Sequence, residues 1–165
     1  MIGDELFERA SEILNICGGR GFKLATAESC TGGLISAALT ASPGSSNILD
    51  RGYVTYSNAA KTADLGVEKA LIDKHGSVSE EVSRAMAVGA MEKAKVDVAL
   101  AVTGVAGPGG GTPEKPVGLV HIAVAHRGGK TLHRECRFGP IGRGEVRRLS
   151  ALAALKLMKE LIAQV

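Results

Sequence analysis

The chain has 165 residues, of which 45% are hydrophobic and 22% charged, and a formal net charge of +3. That balance excludes a disordered chain and predicts one domain, residues 1–165, with a substantial core. Glycine is abundant at 22 residues and aromatics make up only 3%. This favours backbone-lined binding loops over a base-stacking surface, and so mild a charge gives no electrostatic reason for a nucleic-acid partner.

The three cysteines, Cys17, Cys30 and Cys136, are odd in number and form no Cys-x-x-Cys pair. A disulfide framework or zinc site is not expected, and a reducing cytoplasm is the simple reading. Met1-Ile2-Gly3-Asp4-Glu5 lacks a signal-peptide pattern, and no apolar run is long enough to span a membrane.

Residues 4–18 are predicted as a helix from the stripe Leu6, Ala10, Ile13 and Cys17, stopped by Gly18-Gly19-Arg20-Gly21. A strand over 22–27 and a helix over 31–40 follow. The loop Ser42-Pro43-Gly44-Ser45-Ser46 precedes a strand over 50–57 rich in β-formers. Asn58 is read as the cap of the next helix, and a further short helix is placed at 68–74. Ser79 caps another, with Glu80 and Glu81 in its first turn. Residues 96–103 suit a buried parallel strand. Residues 117–126 and 130–138 flank Arg127-Gly128-Gly129 as a hairpin, and a last helix covers 143–162. Strands alternating with helices early and a hairpin late predict a mixed, mostly parallel sheet covered by helices.

Ser29 falls at the turn between the first strand and its helix. Such a turn exposes a hydroxyl beside unpaired amides, as a nucleophile with an oxyanion hole requires. From the turn alone, an ordinary helix-capping serine is the preferred reading, and the residues further along shift it. Lys61, in the first turn of its helix, faces the positive end of the dipole, a placement that lowers an amine's pKa and suits a base. A solvated surface lysine is the alternative. A serine with a lysine is a known arrangement for acyl transfer. The Tyr56 hydroxyl, at a strand end, could orient that amine or relay a proton.

The loop Thr103-Gly104-Val105-Ala106-Gly107-Pro108-Gly109-Gly110-Gly111-Thr112 leaves the end of a central strand, where open α/β sheets bind ligands. It is neither a Walker loop nor a dinucleotide fingerprint. Arg143 opens the last helix and can clamp a phosphate; Arg147 and Arg148 also suit a solvated face. His121 and His126 lie an odd step apart on a strand and so face opposite ways, which gives no metal pair. Cys30 is a rival nucleophile.

Four segments together resemble a known family. They are Thr26–Gly33, Gly52–Asn58 with Lys61, Gly76–Val82 and Ala101–Gly118. The chain is similar over nearly its whole length to the CinA C-terminal domain family, the competence/damage-inducible proteins, whose active members are nicotinamide-nucleotide amidases. The resemblance implies a three-layer α/β/α sandwich. It implies metal-independent hydrolysis of nicotinamide mononucleotide to nicotinate mononucleotide and ammonia, without a cofactor, in cytoplasmic recycling of pyridine nucleotides. Carried over by motif, Ser29 is the acyl-forming nucleophile, Lys61 its base and Tyr56 an assistant. Amides near Cys30, Thr31 and Gly32 would hold the oxyanion. Thr103, Gly104, Gly107, Gly109, Gly110, Thr112 and Arg143 would hold the ribose and phosphate.

Two departures stand out. The second, N-terminal domain common in the family is not in this sequence, which resembles the stand-alone form. The family's Phe-x-Gly-Asp-Arg segment becomes Phe138-Gly139-Pro140-Ile141-Gly142-Arg143, with a shifted glycine and no acid before the arginine. A homo-oligomer is the common expectation for such enzymes. Two other functions fit some of the same residues. One is a nucleotide-binding module without catalysis. The other is a nucleic-acid-binding competence protein, which the few aromatics and mild charge argue against.

Overall fold

Alternation of large and small side chains along the central strands sets the architecture. In the computed structural model, which describes residues 2–165, Val98, Leu100 and Val102 point to one face of the sheet and Ala99 and Ala101 to the other. The larger face packs against helices α1 (Asp4–Arg20), α2 (Leu34–Thr40) and α6 (Arg143–Ile162). The alanine face lets α5 (Glu80–Ala94) approach closely, flanked by α3 (Asn58–Leu65) and α4 (Lys69–His75). Gly89 of α5 brings the end of α3 equally near: a Cβ there would lie 2.0 Å from the Leu65 carbonyl oxygen. The result is a three-layer α/β/α sandwich.

The sheet comprises β1 (Leu24–Glu28), β2 (Leu49–Val54), β3 (Val98–Gly104), β4 (Leu119–His126) and β5 (Thr131–Arg137) in the order β2-β1-β3-β4-β5. Strand β1 pairs in parallel with both β2 and β3, whereas β4 is antiparallel to β3 and to β5. The sheet is therefore mixed, with β4 alone reversed, and β4–β5 is the expected hairpin. The chain leaves β1 for β2 on one side and later returns to β3 on the other. The ends of β1 and β3 thus form a topological switch point, where such sheets bind ligands.

Several boundaries differ from the sequence expectation. Helix α1 continues through Gly18 and Gly19, because glycine costs a helix only about 1 kcal/mol against alanine. It ends at Gly21, whose left-handed φ of 67° lets its amide donate to the Gly18 carbonyl and the Phe22 amide donate to the Cys17 carbonyl. Helix α2 starts at Leu34 rather than residue 31, and β2 stops at Val54. The cap of α3 is Ser57, whose hydroxyl accepts the Ala60 amide at 3.0 Å; Asn58 is already helical. Ser79 caps α5 as expected, accepting the Val82 amide.

Candidate active site

Ser29 follows the last residue of β1 and is anchored by its own amide, which donates to the Val102 carbonyl of β3 at 2.9 Å. It does not cap α2. The cap position is Gly33, which has no side chain to offer, and the amides of Ile35 and Ser36 donate instead to the Glu28 carboxylate at 2.9 and 3.0 Å. Strand alternation turns Glu28 toward α2 and Ser29 toward the opposite side. The serine hydroxyl is thereby left free of the structural duty that its position in the sequence suggested.

On that opposite side lies Lys61, only 1% exposed. Its Nζ donates to the Ser29 Oγ at 3.1 Å and to the Thr55 carbonyl at 2.9 Å. No carboxylate pairs with it among the described residues. Burial therefore pushes the amine below its ordinary pKa, an effect that the nearby Cys30 sulfur opposes. A neutral Lys61 keeps one N–H on Thr55 and can turn its lone pair to the serine proton. Cys30 is buried beside it, and burial pushes its thiol up to about 12. At neutral pH that sulfur stays protonated and is a poor nucleophile.

These side chains open into a cavity of about 290 Å³ at the switch point. Ser29, Cys30, Tyr56, Lys61, Thr103, Gly104, Gly107, Gly109, Gly110 and Arg143 all line it. The glycine loop is shaped rather than slack. A Cβ on Gly104 would lie 2.8 Å from the Leu119 carbonyl oxygen, and one on Gly107 would lie 2.5 Å from Val117. Arg143 closes the far wall. Its Nη1 donates to the Gly107 carbonyl at 2.9 Å and its Nη2 to the Tyr56 hydroxyl at 2.6 Å. No carboxylate neutralises it among the described residues, so it presents net positive charge to an anionic ligand.

Some assigned residues fall elsewhere. Thr31 and Gly32 do not line the cavity: Thr31 is buried, with its carbonyl accepting from Arg147 at 2.9 Å, and Gly32 is exposed outside it. The Gly32 amide, expected at the oxyanion, is committed to the Ser29 carbonyl at 3.0 Å, which leaves the amide of Cys30, the one of these residues that lines the cavity, as the candidate donor. Thr112 also lies outside the cavity, its hydroxyl accepting the Lys115 amide. Thr103 lines the cavity, but its hydroxyl donates to the Ser77 carbonyl at 2.8 Å. Tyr56 bonds to Arg143 rather than to Lys61. Sequence reasoning missed Glu28, the Thr55 carbonyl, and the cavity walls Ser77 and Val78. Ser77 and Val78 lie inside one of the motifs that carried the family resemblance, and Glu28 inside another.

Among the described residues, no group of three or more His, Cys, Asp or Glu is placed to hold a metal ion, and no helix is long and apolar enough to cross a membrane.

A sequence model of the CinA C-terminal domain matches residues 7–162. The chain belongs to the CinA C-terminal domain family. A CinA-like protein of Mycolicibacterium vanbaalenii is 49% identical over 148 residues, covering 90% of this chain and 34% of the relative. One from Synechococcus is 51% identical over 157 residues, covering 94% and 37%. The chain thus spans little more than a third of these relatives' length. The crystal structure of the competence/damage inducible protein CihA from Agrobacterium tumefaciens matches with a TM-score of 0.95 at 46% identity, covering 98% of each chain. A CinA superfamily protein from Klebsiella pneumoniae matches at 0.92 and 33% identity, covering 97% of this chain and 99% of that one.

Proposed function

We propose that this CinA domain is a nicotinamide-nucleotide amidase, hydrolysing nicotinamide mononucleotide to nicotinate mononucleotide and ammonia. The observation that carries the reading is the 3.1 Å contact between the Ser29 hydroxyl and the buried, unpaired Lys61 amine. A neutral amine in that position takes the serine proton as Oγ attacks the carboxamide carbon. The tetrahedral oxyanion would lie against the Cys30 amide. Collapse expels ammonia, which takes its extra proton from the Lys61 ammonium, and leaves an acyl ester on Ser29. Water then attacks that ester, Lys61 accepts its proton, and release of the carboxylate returns the proton to Ser29. The glycine loop and Arg143 are assigned to the ribose and phosphate. The reading takes the chain as a homo-oligomeric cytoplasmic enzyme that needs no cofactor.

The test is ammonia release from nicotinamide mononucleotide, with and without a chelator. Chelator-resistant release that disappears in Ser29→Ala, with the fold retained, supports the reading. Retained turnover in Ser29→Ala with loss in Cys30→Ala would move the nucleophile to Cys30. Nucleotide binding by the wild type without turnover would make the domain a binding module.

A further inference from the structure

The residue immediately before Ser29 is a fully buried carboxylate that the chemistry above does not use. Glu28 Oε1 accepts the Ile35 amide at 2.9 Å; Oε2 accepts the Ser36 amide at 3.0 Å and the Ser36 hydroxyl at 2.8 Å. Because the Ser36 hydrogen goes to the carboxylate, the Thr26 hydroxyl donates to the Ser36 Oγ across their 2.7 Å contact. The relay therefore runs from Thr26 through Ser36 to Glu28, two strand residues on one face of β1 joined through the first turn of α2. Gly52 of β2 makes room for it, since a Cβ there would lie 2.3 Å from the Ser36 Oγ.

A helix start leaves several amides without partners, and the usual remedy is a side chain at the cap itself. Here the cap is Gly33, at φ 95°, and two of the orphan amides are satisfied from five residues upstream. That remote cap has a consequence for the turn between. Residues 29–33 need not fold back over the helix, so the amide of Cys30, which lines the cavity, is not drawn into capping, and Ser29 is held outward on its strand. One end of the turn is fixed by the Ser29 amide on Val102, the other by α2 locked to Glu28.

We propose that Glu28 is a positioning residue: by capping α2 from the end of β1, its carboxylate fixes the turn that holds the Ser29 hydroxyl against Lys61. The proposal rests on Ser29 being a nucleophile, the reading given above, but not on the identity of its substrate. Glutamine at position 28 keeps the size but must turn an NH₂ toward one of the two amides, so it cannot cap both. A misplacement of about 1 Å at a reacting group costs on the order of a hundredfold in rate.

The experiment measures the rate at which Ser29 is labelled by a fluorophosphonate, alongside thermal stability and the kcat and KM for nicotinamide mononucleotide. Glu28→Gln is expected to slow labelling and kcat together by at least about tenfold while KM stays within about twofold, because Arg143 and the glycine loop sit on other elements. Ser36→Ala, which removes one donor and keeps both amides, is expected to show a smaller loss of the same kind and guards against a Glu28 variant that fails to fold. Lowered stability in either folded variant with unchanged labelling overturns the proposal and leaves Glu28 a purely structural cap. Absence of Ser29 labelling in the wild type overturns it too. Labelling in the wild type without turnover of the nucleotide overturns only the substrate, and the labelling comparison still decides the role of Glu28.

Discussion

Lys61 meets Ser29 at 3.1 Å from a place where neither surroundings nor backbone favour its charge. It is 1% exposed and lies within about a turn of the start of α3, at the positive end of the helix dipole. A buried cation without an anionic partner is a net cost to the fold. Lys61→Met, which fills similar space without the charge, is expected to unfold at the same temperature as the wild type or higher. Ammonia release is expected to drop by about a thousandfold, the scale of a lost general base. Calorimetry and a steady-state assay on one preparation check both. A destabilised Met variant would mean that the amine's two hydrogen bonds outweigh its desolvation.

The same burial gives a pH signature. Lys61 titrates below its ordinary 10.5 in the folded chain and near that value in the unfolded one. Between the two, the unfolded chain binds the extra proton, so the Lys61 contribution to stability rises with pH through that window, against an opposite slope above about 9 from Cys17 and Cys30, whose thiols burial pushes up to about 12. Below the folded-state value both forms are charged and the penalty is fully present; above 10.5 it is gone. The reaction needs the neutral amine, so kcat/KM is expected to rise with pH to a plateau whose midpoint falls below 10.5. A rate profile and a series of melting curves test this. A midpoint at the ordinary lysine value would remove Lys61 as the base, and over the same window the stability of the wild type relative to Lys61→Met should rise with pH.

The sequence and the structure agree where periodicity or chain punctuation settles the matter. The apolar stripe of α1 and the hairpin turn at Arg127-Gly128-Gly129 place those elements to within a residue or two. Ser29 and Lys61 were legible as a pair because each sits at an element boundary in an electrostatically unusual place. The alternatives raised for them could not be settled from sequence, because capping depends on which side chain arrives from elsewhere. Ser29 looked as suitable a cap as Ser79, yet only Ser79 is one, since Glu28 reaches α2 first. The partner of Tyr56 was hidden for the same reason. The tyrosine hydroxyl lies five residues from Lys61 in sequence, but Arg143, 87 residues away, claims it. The His121–His133 contact was invisible too, because it needs the β4–β5 register.

Tyr56→Phe separates two roles for the tyrosine. Its hydroxyl accepts from Arg143 at 2.6 Å, and Lys61 Nζ makes its two bonds elsewhere. Loss of the hydroxyl is therefore expected to loosen Arg143 and raise KM by a fewfold, with kcat changed by less than about tenfold. A proton relay through Tyr56 would instead cost kcat a hundredfold or more, on the order of a lost acid–base group. Arg143→Lys keeps the charge but cannot hold the Gly107 carbonyl and Tyr56 together. It is expected to raise KM by more than Tyr56→Phe does. Equal KM for Arg143→Lys and the wild type would take Arg143 out of substrate binding.

Acid stability should depend on a second buried cluster, behind the cavity wall. His121 Nδ1 and His133 Nε2 are 2.9 Å apart, so one ring donates to the other and a single proton occupies the gap. Burial holds both rings below the ordinary 6.5, and at His121 the neighbouring His133 charge adds to it. Glu80 and Glu81 of α5 and Glu135 of β5 favour protonation, whereas Arg84 of α5 and Lys115 of the glycine-loop segment oppose it. As pH falls below about 6.5 the unfolded chain takes protons before the folded one, so stability is lost on the acid side and level above it. Glu80, whose carboxyl the Arg84 hydrogen bond holds below its usual range, titrates lower still. Melting temperatures between about pH 5 and 8 should therefore fall on the acid limb for the wild type and more shallowly for His133→Gln. A wild type whose melting temperature is level down to about pH 5 would show that the pair takes protons as readily as histidines in an unfolded chain.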